Sequence, residues 1–389
     1  MTARLDRREL LGLGLSLGGL ALFPRCLRAE PASAGRVRAT VVLIHLVGGN
    51  DGLNTLVPYA HKRYRSARPT LALGREAVVP LSDGLGLHPA LRPLAPLWEQ
   101  RRLAIVAGVG YPQPDFSHFR ATEIWQTAQP ERAPTFGWVG RALAARPSTS
   151  PLRAVALARE QPLAFTAPEP TVATLTDFGR FRLPAGLEEV ARLYASSSER
   201  TGAAGAVAAA GERALALAHK ISRLAPADGP FQGALGEDLR KALSLLEADL
   251  NLEALHLSFG GFDTHAAQAR VHGELLGALA QNLALWQARL ERARLAERVV
   301  TVVYSEFGRR VDENASAGTD HGSAGPVFVL GTGLAGGLLG AQPALDDLDD
   351  GNLRFTTDFR RLYAALLRHA WEQDPAPVLG EVTPLELFR

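Results

Sequence analysis

Short apolar runs that end in turn-forming residues constrain the fold of this chain more than any other feature. Five of them stand out: Ala39–Val47, Leu103–Val109, Leu255–Phe259, Val299–Tyr304 and Val327–Leu330. Each is nearly unbroken in its apolar character and rich in β-branched residues, and each is followed by glycine or by a polar turn. Strands that are apolar at almost every position are buried on both faces, which is typical of parallel sheets.

Helical patterns separate these runs. They cover Leu215–Leu224, Leu239–Leu255, Val271–Ala296 and Asp358–Trp371. Strands that alternate with helices predict crossover connections and a doubly wound, mostly parallel α/β sheet flanked by helices. The Ala/Gly-rich stretch from about 186 to 250 carries no strand pattern, and we interpret it as a helical insertion. We therefore expect residues 35–389 to form a single domain.

The N-terminal residues have the pattern of an export signal. Arg7 and Arg8 form an adjacent pair, an apolar glycine-rich run extends from Leu10 to Phe23, and Ala32-Ser33-Ala34 offers a small-x-small cleavage site. The apolar run of about 14 residues is too short to cross a bilayer of roughly 30 Å. We predict that residues 1–34 are a twin-arginine signal peptide, that the twin-arginine translocase is a partner during export, and that the protein is periplasmic or otherwise exported. A membrane anchor is the alternative for this segment.

Cysteine usage and charge exclude several classes of site. The one cysteine, Cys26, lies in the predicted signal, so the mature chain is expected to have no disulfide, thiol nucleophile or cysteine-ligated zinc. The chain has 42 Lys and Arg against 40 Asp and Glu, which gives no electrostatic reason to bind nucleic acid. No stretch after residue 34 predicts a stable membrane span.

Polar residues follow the predicted strands. They are Asn50 and Asp51, then Asp115, Ser117 and His118, then Asp263 and His265, then Glu306, with Asp320 and His321 just before the last strand. Ligands of open α/β sheets bind outside the carboxyl ends of the strands, so we expect these side chains to gather at one edge. Carboxylates and imidazoles without cysteine are suitable ligands for Zn²⁺, Mn²⁺ or Fe. Any single pair of them could equally be ordinary loop residues.

Five ordered motifs give the chain a family resemblance. They are Gly-Gly-Asn-Asp-Gly at 48–52, Ser-His-Phe at 117–119, Gly-Gly-Phe-Asp-Thr-His at 260–265, Ser-Glu-Phe-Gly-Arg at 305–309 and Thr-Asp-His-Gly at 319–322. The set resembles domain of unknown function 1501, an exported bacterial family that is placed in the alkaline phosphatase and sulfatase superfamily. The resemblance spans nearly the whole mature chain and implies an alkaline-phosphatase-like fold.

The superfamily arrangement implies metal ligands at matching positions. These would be Asp51, Asp263, His265, Glu306, Asp320 and His321. The chain departs from the superfamily pattern at Phe307, which stands where a ligand histidine is usual. The resemblance implies one or two divalent metal ions, with zinc first and manganese, iron, magnesium or calcium as alternatives.

The same resemblance assigns catalytic and substrate-binding roles. Ser117 would be the nucleophile, although it could instead simply cap the following helix. His118 would be a ligand or a substrate contact, Asn50 would contact substrate, and Arg309 would either hold a substrate oxyanion or lie at the surface. Residues 117–120 do not match the C/S-x-P-x-R signature of formylglycine sulfatases, so that chemistry is not expected.

These assignments predict an exported, metal-dependent hydrolase of phosphate or sulfate esters. Its substrate would be a small-molecule or polysaccharide ester, cleaved through the metal site. The alternative is an exported binding or assembly protein that keeps the alkaline-phosphatase-like fold without catalysis. The substitution at Phe307 favours the alternative, and the carboxylates at the strand ends favour the enzyme.

Overall fold

The computed structural model describes residues 39–389 apart from 83, 132–134, 147, 149, 169–171, 179–186 and 198–201. The predicted signal peptide, residues 1–34, lies outside the described residues. The strands are β1 (Thr40–Val47), β2 (Leu56–Val57), β3 (Val79–Ser82), β4 (Leu85–Leu87), β5 (Leu103–Gly110), β6 (Ala154–Leu157), β7 (Val172–Leu175), β8 (Ala254–Gly260), β9 (Val299–Ser305), β10 (Gly325–Leu330), β11 (Gly337–Leu339), β12 (Leu348–Asp349), β13 (Asn352–Leu353) and β14 (Thr357–Asp358).

The helices lie between these strands along the chain. They are α1 (Lys62–Ala67), α2 (Ala95–Glu99), α3 (His118–Thr127), α4 (Trp138–Ala144), α5 (Leu187–Ser197), α6 (Ala203–Ser222), α7 (Gly233–Glu247), α8 (Gln268–Arg292), α9 (Phe359–Ala370) and α10 (Ala376–Leu379). Short 3₁₀ helices cover Gly52–Asn54, Pro89–Leu94, Leu163–Phe165 and Ala296–Arg298. The predicted helix at Leu239–Leu255 was too long, because α7 ends at Glu247 and Asp249 and Asn251 then adopt positive φ angles of 48° and 59° before β8.

A mixed, mostly parallel sheet forms the centre of the molecule. Its strand order is β11-β5-β10-β9-β1-β8-β6-β7, and β14 pairs with β5. Strand β1 is parallel to both of its neighbours, β8 and β9. Strand β10 is antiparallel to both β5 and β9. The predicted α/β class and the mostly parallel sheet are confirmed.

The reversed direction of β10 decides where its flanking residues lie. Because β10 runs against β9 and β5, its first residue, Gly325, is at the edge where the parallel strands end. The segment just before β10, which contains Asp320 and His321, therefore reaches the same edge as the residues that follow β1, β5, β8 and β9. This topology brings all the predicted site segments to one side of the sheet.

Both faces of the sheet are covered, as the continuous apolar strands predicted. Val42, Ile44 and Leu46 of β1 point into a core that is closed by α7, α8 and the 3₁₀ helix Pro89–Leu94. Val41 and Leu43 point into a second core that is closed by α3, α4 and α9. Each fully buried side chain of this size contributes about 1.5–3 kcal/mol relative to exposure. The strand ends are therefore held rigidly, which fixes the loops that follow them.

The described residues between β7 and β8 contain the helices α5, α6 and α7 and no strand. No helix among the described residues is both long enough and apolar enough to cross a membrane.

Candidate metal centre

Three side chains from different loops converge at the carboxyl edge of the sheet. Asp263 follows β8, His118 is the first residue of α3, and His321 precedes β10. Each offers one ligand atom, and these atoms all lie within 4.8 Å of one another, the one such group that metal-ligating residues make in the described part of the chain. His321 Nε2 is 3.1 Å from Asp263 Oδ1, and His118 Nε2 is 3.5 Å from Asp263 Oδ2. Asp263 is half-exposed, so the cluster is open to solvent.

In both histidines of the group, Nδ1, the nitrogen that faces away from Asp263, is hydrogen-bonded to another protein group. His321 Nδ1 is 2.7 Å from the carbonyl oxygen of Phe116. A carbonyl only accepts hydrogen bonds, so His321 Nδ1 must carry the proton, and Nε2 of the neutral ring then has a lone pair. His118 Nδ1 is 2.8 Å from the carboxylate of Glu306, which fixes its ring in the same way. Ligand histidines of metal sites almost always donate their second nitrogen like this.

A third histidine crowds the same point. His265 Nε2 lies 2.9 Å from Asp263 Oδ1 and 3.0 Å from His321 Nε2. The lone pair of His321 Nε2 points toward Asp263 Oδ1 and His265 Nε2. These atoms repel one another unless a proton or a cation lies between them. The imidazole and carboxylate donors are those that Zn²⁺, Mn²⁺ and Fe take. The residues present therefore fit a divalent metal ion.

Asp320 lies behind His265 rather than within the three-residue group. His265 Nδ1 is 3.3 Å from Asp320 Oδ1, and Asn314 Nδ2 donates to the same oxygen at 3.0 Å. The hydrogen bond from Asn314 lowers the pKa of Asp320, and that from His265 lowers it further. The structure thus brings the predicted residue Asp320 to the site, where it orients His265.

Glu306 lies behind His118 in a similar way, with no exposed surface on its side chain. Its Oε1 accepts from the Gly48 amide and from His118 Nδ1, both at 2.8 Å. Its Oε2 is 3.0 Å from His45 Nε2 and accepts from Ser305 Oγ at 3.1 Å. Burial raises the pKa of Glu306, but the hydrogen bond and charge of His45, followed by the other donors, bring it down to about 2. Glu306 is thus a buried carboxylate whose two oxygens already have partners.

Asp51, the first predicted ligand, lies apart from the cluster in a buried ion pair. Arg68 Nη1 donates to Asp51 Oδ2 at 2.6 Å, and neither side chain has exposed surface. Gln268 Nε2 donates to the same oxygen at 2.5 Å. Burial raises the pKa of Asp51, but the charge and hydrogen bond of Arg68 outweigh it and lower that pKa. The carboxylate also caps the 3₁₀ helix Gly52–Asn54 by accepting from the Asn54 amide.

Asn50 belongs to the same buried layer. It is 4% exposed, and its Oδ1 is 2.9 Å from His272 Nε2 while its Nδ2 donates to Thr55 Oγ1 at 3.0 Å. The side chain predicted to contact substrate therefore packs beneath the loop that follows β1.

Arg309 is a buried residue that connects three loops of the site through hydrogen bonds. Only 1% of it is exposed. Its guanidinium donates to the carbonyl oxygens of Gly48, Gly49, Phe262 and Thr319. It also donates to Asp263 Oδ1 at 2.8 Å. Burial raises the pKa of Asp263, but hydrogen bonds from Arg309 and then His321 lower it to about 2. From the sequence we expected Arg309 to contact substrate or to lie at the surface; the structure instead places it inside the protein, where it lowers the pKa of Asp263.

Ser117 occupies the N-cap position of α3 and is exposed. Its hydroxyl makes no capping hydrogen bond to the described helix, while its amide donates to Asp115 Oδ1 at 2.8 Å. Of its two predicted roles, capping through the side chain is therefore not seen. Ser117 directly precedes His118 in the sequence.

Phe307, which stands where the family resemblance leads us to expect a ligand histidine, packs against two of the histidines. Its ring centre is 4.9 Å from that of His118 and 4.6 Å from that of His321. Three neighbours of the site were not named as functional by the sequence: His45, Arg68 and Gln268. His45 stands in an apolar strand, where core packing is the ordinary interpretation, and nothing local marks Arg68 or Gln268 as buried.

The fold and site define an α/β protein with an open histidine–carboxylate cluster at the carboxyl edge of its sheet. The sequence matches the model of the family described as protein of unknown function (DUF1501) over residues 104–368, so the chain belongs to that family. No curated protein matches it.

Solved structures show distant likenesses to the chain. The lipoteichoic acid synthase LtaP from Listeria monocytogenes shares 10% identity over 81% of this chain and 72% of its own, with a TM-score of 0.39. Ps i-CgsB, in complex with k-i-k-neocarrahexaose, shares 9% identity over 89% and 75%, with a TM-score of 0.43. A protein in the alkaline phosphatase superfamily from Vibrio parahaemolyticus shares 10% identity over 84% and 69%, with a TM-score of 0.32.

Proposed function

We propose that this protein is an exported hydrolase of phosphate or sulfate esters that uses one divalent metal ion, with zinc the first candidate. His118, Asp263 and His321 would hold the ion, which leaves a position for substrate, and His265 Nε2 lies beside them, 3.0 Å from His321 Nε2. The observation that carries the proposal is the contact of His321 Nε2 with Asp263 Oδ1 at 3.1 Å and with His265 Nε2 at 3.0 Å, which gathers imidazole and carboxylate ligand atoms at one point. The motifs that resemble the alkaline phosphatase superfamily support the reaction class.

The count of one ion follows from the partners of the other predicted ligands. Arg68 supplies a positive charge to Asp51, and four donors already surround the carboxylate of Glu306. A second ion would have to displace these partners inside the protein, where an uncompensated charge is costly. Bound at the cluster, one ion would act as a Lewis acid toward an ester oxygen.

Ser117 is the proposed nucleophile. Its oxygen forms a bond to phosphorus or sulfur as the bond to the substrate's alcohol oxygen breaks, and the serine proton leaves with that alcohol. Water then hydrolyses the seryl ester, which releases phosphate or sulfate and restores the hydroxyl. Ser117 is exposed at the N-terminus of α3, where an anionic group is favoured by the free amides and the helix dipole.

The test is turnover by metal-loaded protein on a panel of aryl phosphates, phosphodiesters and aryl sulfates. We expect hydrolysis of at least one class, its loss in Asp263→Ala, and its loss in Ser117→Ala. The matched control is Ser148→Ala, a serine in a loop remote from the cluster in sequence. Turnover that survives Ser117→Ala would remove the serine from the mechanism and leave direct attack by water.

A non-catalytic exported binding or assembly protein is the second candidate. Two points favour it: Phe307 stands where the family resemblance implies a ligand histidine, and Arg68 neutralises Asp51 inside the protein. Metal-loaded protein that turns over no ester in the panel would support this candidate over the hydrolase.

A further inference from the structure

Glu306 joins three separate parts of the chain beneath the cluster. It follows β9, it accepts from the Gly48 amide in the loop after β1, and it accepts from His118 at the start of α3. The side chain of Glu306 has no exposed surface, whereas that of His118 is 32% exposed. Glu306 is therefore the fixed partner of this pair, and the more exposed imidazole is the part that it holds.

Local structure gives His118 little other support. It is the first residue of α3, and the preceding Ser117 makes no side-chain cap in the described helix. The ring of His118 contacts those of Phe307 and His321, with centres 4.9 Å and 4.5 Å away. Ring contacts limit its tilt but do not distinguish Nδ1 from Nε2. The hydrogen bond to Glu306 does, because an ionised carboxylate only accepts and so keeps the proton on Nδ1.

His45 supports Glu306 from the opposite side. It lies in the middle of the sheet on β1, is 3% exposed, and stacks on Tyr304 with ring centres 5.0 Å apart and planes 8° apart. Its Nε2 is 3.0 Å from Glu306 Oε2. A buried carboxylate is stable only if its oxygens are paired, so His45 helps to keep Glu306 in place.

We infer that His45 and Glu306 are positioning residues, and that the chain His45–Glu306–His118 holds His118 with Nε2 directed at Asp263. This inference rests on the proposed metal centre and deepens it. Outer partners of ligand histidines fix both the tautomer and the orientation of the ring, and their loss costs about 10–100-fold in metal affinity. Glu306 thus serves the metal through His118 and not as a ligand.

The experiment measures zinc affinity and the tautomer of His118 in full-length mature protein. The variants are Glu306→Gln, Glu306→Ala and His45→Gln. We expect zinc to bind about 10–100-fold more weakly to Glu306→Ala, with Glu306→Gln between it and the wild type because the amide oxygen remains an acceptor. Nitrogen-15 NMR of histidine-labelled, metal-free protein should show His118 protonated at Nδ1 in the wild type and as a tautomer mixture in Glu306→Ala.

Glu253→Gln is the matched control. Glu253 is also a buried carboxylate, with Arg146 and Arg153 as partners, but it precedes β8 at the opposite edge of the sheet. We expect its variant to lose stability while it keeps the zinc affinity and the His118 tautomer of the wild type. This control separates positioning from a general loss of packing.

The outcomes separate the inference from the proposed function. Wild-type protein that binds no zinc would contradict the metal centre, while the tautomer in the metal-free variants would still test the positioning chain. If Glu306→Gln and Glu306→Ala both bind zinc as tightly as the wild type and keep its His118 tautomer, the inference is overturned. If Glu306→Ala does not fold, Glu306→Gln and His45→Gln decide the question.

Discussion

Asp51 and Arg68 form an ion pair that is wholly inside the protein, with Arg68 Nη1 2.6 Å from Asp51 Oδ2 and no exposed surface on either side chain. Arg68 also donates to Asn54 Oδ1 and to the carbonyl oxygens of Arg310 and Val311. The pair thus connects the loop after β1 to the segment that follows Arg309. The carboxylate of Asp51, which the motif resemblance assigns to a metal, therefore has a structural role in this ion pair.

Arg68→Met should be strongly destabilising. It leaves Asp51 buried without its countercharge, which typically costs about 3–5 kcal/mol. The control is Arg63→Met, since Arg63 pairs with Asp312 at 2.9 Å but both side chains are more than one-third exposed. An exposed pair of this kind contributes at most about 1 kcal/mol. Urea unfolding measures both changes, and equal losses in the two variants would contradict a structural role for the buried pair.

Gly49→Ala should disturb both the fold and the proposed metal centre. Gly49 has φ +75°, and an added Cβ would lie 2.3 Å from the ring of Phe307, which packs under His118 and His321. Gly333→Ala is the matched control, because its φ is +76° and its added Cβ meets nothing within 4 Å. We expect Gly333→Ala to lose about 1 kcal/mol from backbone strain alone.

Gly49→Ala should lose a further ~1–3 kcal/mol through overpacking and should bind zinc more weakly than Gly333→Ala does. Thermal or urea unfolding, combined with zinc titration, measures the difference. Identical stability and zinc affinity in the two variants would show that Phe307 does not support the histidines.

His256→Leu should flatten the dependence of stability on pH. His256 has neither ring nitrogen hydrogen-bonded within the described structure, and burial, followed by the charge of His45, lowers its pKa from 6.5 to about 3. Below pH 6.5 the unfolded chain takes up a proton at this site that the folded chain refuses. Above pH 6.5 His256 is neutral in both the folded and the unfolded chain, and it does not destabilise the folded state by this route. As the pH falls from 6.5 toward 3, the free energy of unfolding decreases, because protonation favours the unfolded chain.

The slope that this group contributes is up to ~1.4 kcal/mol per pH unit. Urea unfolding at pH 7, 6, 5 and 4 should show a shallower decline in His256→Leu than in the wild type. His88 and His272, whose pKa values burial lowers to about 4, will keep part of the decline in the variant. Parallel curves for the two proteins would mean that His256 is not buried in its neutral form.

The sheet could be predicted because its signal is local. A strand such as β1 is apolar at nearly every position, and the turn residues that follow it mark the edge where ligands gather. The group His118, Asp263 and His321 draws on that same signal, since each residue adjoins a strand or a turn beside one. The boundary of α7 was less accurate, because the left-handed residues Asp249 and Asn251 end the helix without a strong sequence mark.

The different roles of the carboxylates, as a candidate metal ligand or as a buried partner of other side chains, could not be predicted from the sequence. Asp263 and Glu306 both follow strands, yet one is half-exposed and the other has no exposed surface. Whether such a carboxylate faces an ion or a neighbouring side chain depends on contacts between residues far apart in the chain, such as His45 with Glu306. Arg309 shows the same limit, since five acceptors from three loops surround a side chain that could not be placed inside the protein from the sequence.

The metal content of the purified protein tests the central claim most directly. Elemental analysis after zinc loading and gel filtration should find about one equivalent in the wild type, as a single group of histidine and carboxylate ligands implies. The same value is expected in His219→Ala, an exposed histidine on α6, and none in Asp263→Ala or His321→Ala. A wild-type protein that stays empty in metal-replete buffer, or variants at Asp263 and His321 that keep their zinc, would contradict the proposed metal centre.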